Sequence, residues 1–93
     1  MNNAATRKKM ADRYLRAVTR VHKREVGMCR KDEEYADLIA MFNQDLKNHK
    51  AVVSLIRKNK LADAFDSLWN MDTAPRDDMP ETVYRWLSKN TED

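Results

Sequence analysis

The sequence predicts an all-α protein, a small single-domain bundle of four to five helices, on three observations. Glycine occurs once, at Gly27, and proline twice, at Pro75 and Pro80, in 93 residues, which leaves little material for hairpin turns or phosphate-cradling loops. Apolar residues recur at spacings of three and four, the period of a helix face rather than the alternation of a strand. The chain is too short to divide into two cores, so residues 1–93 are read as one helical domain with frayed ends at 1–5 and 91–93.

The first helix is expected from about Ala5 to Val26. Met10, Tyr14, Ala17, Val18 and Val21 share one face at 100° per residue. Gly27 is the natural stop, because glycine adopts positive φ without strain, and Lys23 and Arg24 would then complement the negative end of the helix dipole. A second helix is expected to start near Asp32, where Asp32, Glu33 and Glu34 favour the positive end of a dipole. Tyr35, Leu38, Ile39, Phe42 and Leu46 form its expected buried stripe, and Val52, Val53, Leu55 and Ile56 continue the apolar pattern beyond a polar stretch at residues 47–50. The pattern leaves open whether residues 32–58 make one helix or two.

Lys58, Asn59 and Lys60 mark a soft break, after which Leu61, Phe65, Leu68 and Trp69 lie on one face of a further helix. Residues 72–80 hold both prolines and a cluster of turn formers, so they are expected to stop that helix and run extended, as a linker or a docking loop. Pro80 suits the first turn of a last helix ending near Asn90, with Val83, Trp86 and Leu87 on its apolar face. Both tryptophans are expected in the core.

Charge carries the functional signal. Residues 1–31 hold ten Lys and Arg side chains against Asp12 and Glu25, a net +8, whereas the remaining 62 residues sum to −5. Lys9, Arg13, Arg16, Arg20, Lys23 and Arg24 recur at three and four along the first helix, on an arc separate from its apolar face. Such a stripe attracts phosphate, and each neutralised phosphate releases a counterion. The candidate nucleic-acid-binding residues are therefore Lys8, Lys9, Arg13, Arg16, Arg20, Lys23 and Arg24. The stripe carries no interleaved aromatic, which points to backbone contact rather than base stacking, and to DNA more than RNA. The competing expectation is a solvated face that pairs with the acidic remainder of the chain, within the molecule or across a homodimer.

Other function classes find no support. No Gly-x-Ser-x-Gly elbow, P-loop, dinucleotide glycine pattern or His-Glu-x-x-His occurs, so no enzyme activity and no cofactor are expected. His22, His49 and Cys29 are too scattered for the paired ligands of a zinc site, and no metal is expected. No apolar run approaches the roughly 20 residues that span a bilayer, and the apolar face of the first helix lacks the bulky residues of a membrane-surface helix. A lone cysteine and a start without an apolar leader fit a reducing cytoplasm.

The stretch Arg76-Asp77-Asp78-Met79-Pro80-Glu81-Thr82-Val83-Tyr84-Arg85-Trp86-Leu87 resembles the recognition-helix region of phage small terminase subunits, and also the last helix of the Hha family of haemolysin-expression modulators. The first resemblance implies DNA binding by a helix-turn-helix, and the second a helical partner of a nucleoid protein. The chain departs from a helix-turn-helix: its connection exceeds the usual 3–4 residues, and Asp77, Asp78 and Glu81 would set carboxylates against phosphate. The sequence therefore supports two functions. One is a non-catalytic accessory or regulatory protein whose first helix binds nucleic-acid backbone. The other is a phage- or plasmid-type regulator or inhibitor that docks on an acidic host protein.

Overall fold

A computed structural model describes residues 2–71 and 79–91 of the chain. The described residues are all-α. Helix α1 spans Ala4–Lys31, a 3-10 turn covers Glu33–Tyr35, α2 spans Leu38–Arg57, α3 spans Leu61–Trp69 and α4 spans Glu81–Thr91. Residues 72–78, most of the expected linker or docking loop and the first part of the stretch resembling the terminase and Hha families, lie outside the described residues, as do Met1, Glu92 and Asp93.

Helix α1 starts because the Asn3 side chain accepts the Thr6 N–H at 2.8 Å, satisfying one donor that the first turn leaves open. It does not stop at Gly27. Val26 and Cys29 are buried on either side of that glycine, so continuing the helix keeps both inside, and Gly27 has no positive φ. The stop comes after Arg30 and Lys31, at Asp32, which is extended at φ −138° and donates its N–H to the Cys29 carbonyl.

Helix α2 likewise starts later than the acidic run suggests. The Asp32 carboxylate accepts the Glu34 N–H at 3.0 Å and so caps the 3-10 turn, and the α-helix proper begins at Leu38. From there one helix runs unbroken to Arg57, which settles the one-or-two question. Its end is a Schellman motif: Asn59 N–H bonds the Ile56 carbonyl, Lys60 N–H bonds the Leu55 carbonyl, and Asn59 takes φ 61°. The soft break is thus a defined cap. In α4, Pro80 stands just ahead of the helix and its carbonyl accepts from Val83 and Tyr84.

Helices α1 and α2 form a long antiparallel hairpin, α3 packs on α2, and α4 closes against α3 and α1. The core lies at one end of that hairpin. Ala11, Tyr14 and Val18 of α1 meet Val52, Val53 and Ile56 of α2, Leu61, Ala64 and Leu68 of α3, Met79, and Val83, Trp86 and Leu87 of α4. Beyond Val18 on α1 and before His49 on α2, the hairpin continues with only its own seam, which makes the molecule 47 Å long but 23 × 19 Å across.

Two expectations about burial fail for reasons visible in this layout. Tyr35 and Leu38 are 48% and 38% exposed, and Ile39, Phe42 and Leu46 are only half-buried, because the stripe they form runs past the reach of α3 and α4. Trp86 is in the core, but Trp69 is 57% exposed. The inward face of the nine-residue α3 is Leu61, Ala64 and Leu68, and Trp69, turned 100° from Leu68, stacks edge-on against Phe65 at 6.0 Å.

Candidate nucleic-acid interface

The stripe is built by a single element. Lys8, Lys9, Arg13, Arg16, Arg20, Lys23 and Arg24 all belong to α1, and all are exposed. Tyr14, Val18 and Ala11 anchor the opposite face in the core, which fixes the rotation of the helix and so the direction in which the cations point. From Lys9 to Arg24 the stripe covers about 22 Å at 1.5 Å per residue. Among the described residues, none of Lys9, Arg13, Arg16, Arg20, Lys23 and Arg24 forms an ion pair. The competing expectation, a stripe consumed by the acidic remainder of the molecule, is not met among those residues.

Lys8 stands apart from the arc. With Ala4, Arg7, Asp12 and Arg57 it lines an open cavity of about 320 Å³. Asp12, the acid nearest the stripe, is held by Arg57 Nη2 at 3.0 Å. That pair is surface-exposed and worth only about 0.2–1 kcal/mol to stability. Its electrostatic consequence matters more to the stripe, since it offsets the carboxylate nearest the row of cations. Arg57 is a contributor the sequence could not identify: it lies 45 residues from Asp12, and only the antiparallel closure of α2 on α1 brings them together.

The first turn of α1 holds no acid, and Arg7, Lys8 and Lys9 follow directly. Cations near the positive end of a helix dipole oppose it by roughly 0.3–1 kcal/mol each. A phosphate placed there would relieve both the crowding of cations and the open N–H groups.

The two histidines are engaged with other side chains, and the cysteine is buried. His22 Nε2–H donates to Asn43 Oδ1 at 2.7 Å. His49 is buried, with Nδ1 hydrogen-bonded to the Tyr14 hydroxyl at 2.5 Å and its ring edge-on to that of Tyr14. Cys29 is a buried free thiol. Among the described residues no three His, Cys, Asp or Glu side chains gather as a metal would require, and no helix is long and apolar enough to cross a membrane. The last helix, for which the terminase resemblance implies DNA binding and the Hha resemblance a protein partner, buries Val83, Trp86 and Leu87 and ties Arg85 to Glu81 at 2.6 Å, so its one basic side chain in the first two turns is already paired. No protein-family model, curated protein or solved structure matches the chain.

Proposed function

We propose that this is a non-catalytic accessory or regulatory protein of the cytoplasm that binds nucleic-acid backbone through α1, with DNA as the preferred ligand. The observation that carries the reading is the row of six exposed cations, from Lys9 to Arg24, without an ion pair among the described residues. Presentation on one helix supports it further, because Ala11, Tyr14 and Val18 lock the first half of α1 into the core and the charges stand along a single continuous helix. Lys8, with Arg57 compensating Asp12, extends the positive surface to one side. Contacts of this kind fall on phosphates and tolerate any sequence.

The test is fluorescence anisotropy of labelled random duplex DNA and of single-stranded RNA, titrated at low and at physiological salt. Binding through about five phosphates gives a log-log salt slope of roughly −4 to −5. Arg16→Glu combined with Arg20→Glu abolishes binding while leaving helicity unchanged, because both side chains point away from the core. Failure of both nucleic acids to bind at low salt overturns the reading and leaves an acidic protein surface as the ligand of the stripe.

A further inference from the structure

We propose that the open end of the α1/α2 hairpin is a self-association surface, on which a second copy of this chain docks through Met28, Tyr35, Leu38 and Met41. Those four side chains are 64%, 48%, 38% and 44% exposed. Met28, Tyr35 and Leu38, with Glu25, Cys29 and Phe42, line a groove of about 280 Å³ between the two helices. Single exposed apolar residues are ordinary, but neighbouring ones gathered around one groove are the arrangement that marks an interaction site.

The layout says what kind of surface is missing. At the closed end, α3 and α4 cover the hairpin and complete a core. At the open end the same two helices have only each other, and two helices with outward apolar stripes bury them by adding a second layer. A second hairpin of the same kind supplies that layer and has its own stripe to bury, so one contact satisfies both.

Charge selects the copy over an unrelated helix. On α1, Arg24 and Lys31 stand four residues before and three after Met28, on the same flank of the patch. At the start of α2, the N-cap Asp37 stands exposed four residues before Met41, whereas Asp45 is half-buried and lines the seam beside Glu25. The outer edge of the patch on α1 is therefore basic and the edge at the start of α2 acidic, on a single chain, with Glu25 lining the groove between them. A two-fold relation that sets α1 of each protomer on the start of α2 of its partner brings Arg24 and Lys31 against Asp37 twice over. The reverse arrangement, α1 on α1, juxtaposes like charges, so the pairing also fixes the orientation.

Sedimentation equilibrium of the full chain, from micromolar to millimolar protein, provides the test. The expected result is a concentration-dependent rise from the 11.0 kDa protomer mass to twice that value. Met28→Glu with Met41→Glu holds the mass at the protomer value throughout, and because both side chains are already open in the monomer, helicity is retained. Should that pair fold poorly, Met28→Gln with Met41→Gln tests the same contact without added charge. Lys31→Glu weakens the dimer at low salt, and adding Asp37→Lys to the same chain restores it, as only a self-complementary contact allows. A protomer mass at every concentration overturns the proposal, as does a dimer that the Met28/Met41 variants leave intact. Failure of the Asp37→Lys rescue overturns the pairing of α1 with α2.

Discussion

The two ends of the α1/α2 hairpin are made of the same two helices and behave as different materials. At the closed end, residues of all four helices interlock around Tyr14, Ile56 and Leu87, each fully buried. At the open end, Val26 and Cys29 are buried along the seam but stand outside the main core, and Met28 and Met41 face solvent. The difference teaches that helix formation and helix burial are separable here. Local capping and spacing carry α1 and α2 out to Lys31 and Leu38, while stability is concentrated where α3 and α4 add a second layer. Local opening should follow the same division, since regions with few buried apolar contacts open at lower free energy than the core.

The largest expected effect falls at the closed end. Ile56→Ala, at a fully buried position, removes apolar atoms from a site walled by three other helices and costs about 2–5 kcal/mol. In a chain of this size that is a large share of the total. Met28→Ala, in dilute protein where the chain is monomeric, costs less than about 0.5 kcal/mol, as expected of an exposed side chain. Urea unfolding of the two variants side by side measures the contrast. Equal losses would mean that the open end is as tightly packed as the core.

The boundary between the two regions is marked by Tyr14 and His49, the one buried polar pair among the described residues. Tyr14 faces the core from α1, and His49 is the last buried position of α2 before the hairpin opens. Tyr14→Phe keeps the ring and deletes the hydroxyl bonded to His49 Nδ1. Losing that partner at a buried position costs about 1–2 kcal/mol. The check is the urea midpoint at constant slope, which separates a lost bond from a change in the compactness of either state. A neutral result would mean that water takes the place of the hydroxyl, and that the closed end begins further along the hairpin than Tyr14.

How much of this was legible in the sequence also differs between the two ends. The core face of α1 at Tyr14 and Val18, the apolar run of Val52, Val53 and Ile56, and the inward set of Val83, Trp86 and Leu87 all follow from spacing, because those faces find partners and periodicity is then a faithful guide. At the open end the same periodicity misleads. Tyr35, Leu38 and Phe42 fall on one face, yet nothing in a one-dimensional pattern says that α3 and α4 stop short of them. Gly27 misled for a related reason: a glycine marks a helix end only where positive φ is used, and the pull of Val26 and Cys29 toward the seam decides otherwise. The arc of cations was legible from spacing alone. That it stays unpaired among the described residues, and that Arg57 comes to hold Asp12, depends on the closure of the hairpin.

Gly27 offers the smallest and most discriminating effect. It sits inside α1 without positive φ, and a Cβ there would meet nothing within 4 Å. Gly27→Ala therefore adds helix propensity without a clash, worth about 0.5–1 kcal/mol. Where that gain is registered depends on whether the open end unfolds with the core or ahead of it. Val26 and Cys29 lie outside the main core cluster, so the open end is expected to fray on its own. The substitution should then slow amide exchange in the last two turns of α1 by about two- to five-fold in dilute protein, with the melting temperature of the whole domain nearly unchanged. A rise of roughly 3–8 °C in that melting temperature would instead show that the two ends unfold as one cooperative unit. In that case the seam between α1 and α2 transmits stability along the full length of the hairpin, and the contrast between its ends lies in surface rather than in strength.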